Sequence, residues 1–176
     1  MKLLLHVCCA PCASYALEYL SPSYEITALF YNPNILPQEE QNKRAAEFER
    51  LLGLARYPNP VSCLDCRYTP EKFRLAAAPY VNEPEGGRRC QICFEIRLEE
   101  TAIRAKSGGF DCFATTLSVS PHKNAKLLNE IGGRLGEAHG VGYLPLDLKK
   151  NNGFKRSVDL CKQYGIYRQT YCGCGY

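Results

Sequence analysis

Short apolar runs and longer amphipathic stretches alternate along the whole chain. The run KLLLHV at 2–7 predicts a buried strand. Pro11 suits the first turn of a helix over 10–20, APCASYALEYL. YEITALFYN at 24–32 is rich in β-branched and aromatic residues and predicts a second strand. PNILP breaks it, and the charge and apolar spacing of 38–55 predicts an amphipathic helix. The prolines of RYPNPVSC, 56–63, admit a short edge strand at most. TPEKFRLAAAPY, 69–80, reads as a helix with Thr69 as cap and Pro70 in its first position. NEPEGGRR is a loop, followed by a helix over 90–107 that Gly108 and Gly109 stop. FDCFATTL, 110–117, is a strand, and SPHKNAKLLNEIGGRL, 120–135, a helix with Ser120 as cap and Pro121 behind it. VGYLPLDL, 141–148, gives a further strand and FKRSVDLCKQY, 154–164, a further helix; the tail 165–176, GIYRQTYCGCGY, has no clear period.

This β-α alternation, without repeats or evident linkers, predicts one α/β domain over 1–176 with a mainly parallel sheet. Ligands of such folds gather at the carboxyl ends of the strands. A chain of 176 residues suits one domain, and chains of this size bury roughly 70% of their unfolded surface. No apolar run approaches the ~20 residues of a membrane span, and the four-residue apolar start is too short for a signal peptide. The expected location is therefore the cytoplasm, where thiols stay reduced.

That setting changes the reading of eleven cysteines. In a secreted chain they would form a disulfide framework; here they point to metal or redox chemistry. Cys8 and Cys9 fall at the carboxyl end of the first predicted strand, and Cys12 in the first turn of the next helix, where the dipole favours a thiolate. Cys90 and Cys93, spaced i and i+3, open another helix and share a side. The two groups offer enough thiolates for a metal centre, and zinc shares the paired CxxC frame. Cys112 and Cys161 read as small core hydrophobes. Cys172 and Cys174 flank one glycine near the chain end, and a disulfide across so short a loop would be strained and easily reduced.

The stretches HVCCAPC, EPEGGRRCQICFEIRLEETA, TTLSVSPHKN and GFKRSVDLCKQYGIYRQTYCGC run in order from residue 6 to residue 174. Together they resemble the QueH family of epoxyqueuosine reductases. The resemblance implies a Rossmann-like three-layer fold of the nucleotide α-hydrolase type. It implies a cobalamin-independent oxidoreductase that reduces epoxyqueuosine to queuosine at the wobble position of tRNA. It implies a [4Fe–4S] cluster on Cys8, Cys9, Cys90 and Cys93, and a redox-active pair at Cys172 and Cys174. A second, mononuclear metal (iron) is also implied, with Cys12 as a ligand; Cys63 and Cys66 stand outside this set. Removing the epoxide oxygen consumes two electrons and two protons, so an external electron donor is a further expected partner.

The net charge of +4 permits a nucleic-acid partner without demanding one. Arg88, Arg89, Arg97, Lys123, Lys155, Arg156 and Arg168 fall near the motifs as candidate phosphate contacts, and Tyr167 and Tyr171 as stacking faces. Each of these charges reads equally well as solvated surface. TTLSVSP offers hydroxyls and helix amides as a phosphate seat. His6 reads as a core residue, and His122 and His139 as surface residues. Three rivals remain: a zinc-stabilised RNA-binding module, a sulfur-transfer enzyme acting on tRNA, and an electron carrier. HVCCAPC stands where a nucleotide-dependent enzyme would carry a Ser-Gly-rich pyrophosphate loop, which disfavours ATP-dependent chemistry.

Overall fold

The computed structural model describes residues 1–64 and 68–175; Cys66 and Tyr176 lie outside them. Five strands form one sheet: β1 (Lys2–His6), β2 (Glu25–Leu29), β3 (Val61–Leu64), β4 (Cys112–Thr115) and β5 (Gly142–Tyr143). Their order is β3-β2-β1-β4-β5, and every pairing is parallel. The chain first builds outward from β1 through β2 to the edge strand β3, then returns to the other side of β1 with β4. That reversal makes the carboxyl ends of β1 and β4 the topological switch point, the usual ligand crevice of such sheets.

Alternation along β1 divides the core. Leu3, Leu5 and Val7 pack on one face, with Ile26, Ala28 and Ala114 beside them. Helices α1 (Ala10–Leu20), α2 (Gln38–Leu54) and α6 (Gly153–Tyr164) cover that face. Leu4 points the other way, with Leu29 and Phe113, under α3 (Pro70–Ala77), α4 (Arg88–Ser107) and α5 (Ala125–His139). The result is the three-layer, Rossmann-like single domain that the sequence predicts. No described helix is long and apolar enough to cross a membrane.

Several elements depart from expectation. The strand predicted over 110–117 ends at Thr115 and turns into a 3-10 helix, Thr116–Val119. The Thr115 hydroxyl accepts from the Leu117 amide, which bends the chain toward the end of β1. The helix predicted from Ser120 begins at Ala125, and its cap is Asn124, whose Oδ1 accepts from the Leu127 amide. Ser120 instead closes a separate turn, accepting from the Lys123 amide through its carbonyl. The strand predicted over 141–148 is only Gly142–Tyr143; Asn129 bonds both the amide and the carbonyl of Leu146, so a side chain replaces the ladder there. Thr69 stands at the N-cap with Pro70 behind it, as expected, but its hydroxyl makes no capping bond and lies 3.0 Å from the Tyr31 hydroxyl. Helix α4 begins at Arg88 rather than Cys90.

Candidate redox and metal site

Cys8 leaves β1 at the switch point. Its amide donates to the Thr116 hydroxyl at 3.1 Å, and that hydroxyl in turn lies 3.3 Å from the Cys8 sulfur. Cys9 is the N-cap residue of α1 in extended backbone, and Pro11 supplies the first turn that carries Cys12 back toward it. The sulfurs of Cys8, Cys9 and Cys12 lie within 4.8 Å of one another, with Cys8 and Cys9 at 3.6 Å. Hydrogen bonds from Cys12 and then Cys9 hold the Cys8 thiol well below its ordinary range, against the opposing effect of burial, with Arg97 and Thr116 helping. Cys12 is pushed well above its range by donating to Cys8 and Cys9. Cys9 also rises, to about 12: a bond from Cys12 opposes the shift, while its bond to Cys8, burial and the Cys8 charge drive it.

Cys90 and Cys93 open α4. The Gly86 amide donates to the Cys90 sulfur at 3.2 Å. Both cysteines are buried in the apolar cluster that also includes Cys174 and touches Cys8 and Cys172. Among the described residues, the group of metal-ligating atoms within 4.8 Å of one another is Cys8, Cys9 and Cys12; Cys90 and Cys93 do not join it at that distance.

Arg97 links the two sets. It lies four residues beyond Cys93 and seven beyond Cys90, on the same helical stripe, and is only 4% exposed. Its guanidinium donates to the Cys93 sulfur at 3.6 Å, to Asn32 Oδ1 at 2.5 Å and to His6 Nε2 at 3.2 Å. The same Nε2 faces the Tyr31 carbonyl at 3.1 Å, and Nδ1 faces Thr115 Oγ1 at 2.9 Å. Burial, and then the Arg97 charge, lower the His6 pKa to about 3 and keep the ring neutral. Burial pushes the Cys93 thiol up, and Arg97 opposes that shift.

The tail returns to this place along α2. Gly165 ends α6 in a left-handed conformation, and the Tyr167 amide donates to Glu47 Oε2 at 2.8 Å. Lys43 Nζ sits 3.6 Å from the Tyr167 ring centre. Arg44 donates to the Cys172 carbonyl at 2.9 Å and the Tyr171 carbonyl at 3.4 Å, and the Leu36 amide donates to the Gly173 carbonyl at 2.8 Å. Cys172 and Cys174 are not joined by a disulfide. A hydrogen bond from Cys174 brings Cys172 down to about 5 against the effect of burial, with the Lys123 and Arg97 charges assisting. Lys123 Nζ lies 3.9 Å from the Cys172 sulfur and 2.7 Å from Glu85 Oε1.

Cys8, Cys9, Cys12 and Cys172 line one cavity of about 480 Å³, whose lining also includes Lys123, His122, Arg168 and Tyr171. Asn34 is part of the same wall; its Oδ1 is buried without a hydrogen-bond partner among the described residues. Two of the basic residues read as phosphate contacts are unavailable for that role. Arg97 is buried, and Arg89 is buried with its guanidinium on the Tyr80, Val81 and Glu83 carbonyls, closing the loop before α4. Arg156 is paired with Glu18 on the surface at 2.8 and 2.6 Å. Arg44 and Asn34 were not legible as site residues in the sequence. Arg97 was legible only as a candidate phosphate contact, and its place beside the sulfurs is shown by the fold alone.

At the switch point of this parallel α/β sheet, where a nucleotide-dependent enzyme would carry a phosphate loop, stand three cysteines whose sulfurs lie close enough together to hold a metal ion. The family model described as epoxyqueuosine reductase QueH matches residues 3–176. A protein of Streptococcus pyogenes named epoxyqueuosine reductase QueH is 45% identical over 99% of this chain and 69% of its own length. Relatives of the same name from Staphylococcus epidermidis and Thermotoga maritima are 44% and 36% identical, over 98% and 97% of this chain and 74% and 87% of theirs. The chain belongs to the epoxyqueuosine reductase QueH family.

Proposed function

We propose that this chain reduces epoxyqueuosine to queuosine at the wobble position of tRNA, in the cytoplasm. The observation that carries this reading is the cavity at the switch point, which presents the Cys8 trio on one side and the Cys172 tail on the other. The tail supplies both electrons. An epoxide, the Cys172 thiolate, the Cys174 thiol and one proton from solvent give an alkene, a disulfide and water; the ring oxygen leaves as water with the Cys174 proton and the solvent proton. An external electron donor then returns the disulfide to the dithiol.

The donor set fits an iron–sulfur centre: it is all sulfur, largely buried, and faced by the Arg97 cation. Cys8, Cys9, Cys90 and Cys93 would hold a [4Fe–4S] cluster. Around a single tetrahedral ion with metal–sulfur bonds of ~2.3 Å, sulfurs stand roughly 3.8 Å apart. Cys12 stands within 4.8 Å of the Cys8 and Cys9 sulfurs, close enough to ligate a second, mononuclear iron beside the cluster that those two would share. Bound there, the cluster supplies single-electron transfer and the lone iron a Lewis acid for the epoxide oxygen. Arg168, exposed and part of the cavity lining, provides a cation for RNA phosphates, and Tyr171, 53% exposed, a stacking face for an unpaired base.

The spacing of the trio taken alone would also suit a zinc-stabilised RNA-binding module. Anaerobic reconstitution separates the two. Bound iron and sulfide, with conversion of epoxyqueuosine to queuosine in tRNA by nucleoside mass spectrometry, is the expected result. Colourless protein with one zinc and no turnover would replace the enzyme with the module.

A further inference from the structure

We propose that Arg44 is the positioning residue of the carboxy-terminal thiol pair, docking the tail so that the Cys172 sulfur stays in the cavity beside Lys123. The inference rests on the tail acting as the reductant. Arg44 is a charged residue only 4% exposed on the face of α2 that the tail covers. Its Nε is held by Glu40 at 2.7 Å, which fixes the plane of the guanidinium. The other two nitrogens reach carbonyls 127 and 128 residues away, those of Tyr171 and Cys172. A helix-stabilising pair between i and i+4 needs none of this burial and none of these long-range bonds.

Gly173 is the complementary half. Its φ is +91°, in the region that favours glycine. A Cβ there would also stand 2.8 Å from Arg44 Nη2 and 3.1 Å from its Cζ. The glycine between the two thiols is therefore the surface on which the guanidinium lies. Arg44 and Gly173 fit as a pair, and altering either lifts the tail. Lysine cannot replace Arg44, because an ammonium has no planar fork to span two carbonyls.

Two readouts test this in the full-length chain, purified and kept anaerobic. The first is tryptic cleavage after Arg168. The second is the dithiol–disulfide equilibrium of the tail peptide against glutathione, read by mass spectrometry after quenching. Docking places the Cys172 sulfur against the Lys123 cation, which favours the reduced pair. Arg44→Met should speed cleavage at least tenfold and raise the fraction of disulfide about tenfold in equilibrium constant, close to 30 mV for two electrons. Arg44→Lys should recover part of both. Gly173→Ala leaves α2 untouched and should reproduce both effects, which covers the case in which Arg44→Met fails to fold. Unchanged cleavage and an unchanged equilibrium in Gly173→Ala, or full recovery by Arg44→Lys, overturn the assignment. If the tail is not the reductant, a Cys172→Ser, Cys174→Ser variant keeps multiple turnover while Arg44→Met still loosens the tail, so the two readings fail separately.

Discussion

The Arg97 guanidinium donates to the Cys93 sulfur at 3.6 Å, and no carboxylate among the described residues pairs with it. Its electrostatic partners are the sulfurs of Cys93, Cys8 and Cys172. A buried charge without a partner costs several kcal/mol, so Arg97 and the sulfurs it faces are stabilised together. A double-mutant cycle in urea should show it. Arg97→Met in the native background should cost about 3 kcal/mol. In a Cys8→Ser, Cys93→Ser background it should cost less, with a coupling of about 1–3 kcal/mol. Additive effects would show that the cation does not answer the sulfurs.

Cys172 should be a thiolate at neutral pH. Its pKa falls from an ordinary 9.0 to about 5, first through the Cys174 hydrogen bond. Because the shift is downward, the nucleophilic form is present above about pH 5 and is lost as pH falls through that value. Alkylation of the tail peptide in metal-free protein should be half-maximal there. Cys174→Ser should move the midpoint upward. A native midpoint near 9 would mean that the tail thiols do not share a proton.

The trio and the α4 cysteines should separate by metal. Cobalt(II) added to metal-free protein should give the absorption of tetrahedral thiolate coordination. Cys12→Ser should weaken that binding at least tenfold, while Cys90→Ser leaves it in place. Iron and sulfide counts after anaerobic reconstitution should show the reverse emphasis, with Cys90→Ser losing the cluster. Equal loss of cobalt in both variants would merge the two sites into one.

Affinity for tRNA should fall with salt, because phosphate contacts release counterions. Arg168→Ala should reduce the slope of log K against log salt by about 1. Arg156→Ala should leave it unchanged, since that guanidinium already serves Glu18. Equal slopes in all three proteins would move the RNA path away from the cavity.

The sequence shows most of the fold because local signals and packing agree. The helix over 10–20 is seen at its predicted bounds, and β1 keeps its apolar run. The misreadings share one cause. Ser120 and Pro121 carry a helix-start signal, yet the same residues serve equally well in a turn, and Asn124 captures the cap. Strand β5 is short because Asn129, fourteen residues before Tyr143, captures the backbone of Leu146. The cysteines at the site were visible by spacing. Arg44 was not, because its partners lie at the far end of the chain and no local pattern encodes that meeting.

The Arg97 stripe also bears on the fate of a damaged molecule. Alkylating or over-pairing the sulfurs around it would remove the negative charge and strand a cation in a dry interior. The neighbourhood would then gain by opening to water, and α4 would be the first helix to loosen. A molecule with a ruined centre would thus expose apolar chain to the proteases of the cell, while an intact one stays closed. The residue that steadies the chemistry would also mark its loss, and turnover of the protein in the cell would follow the state of its sulfur rather than its age.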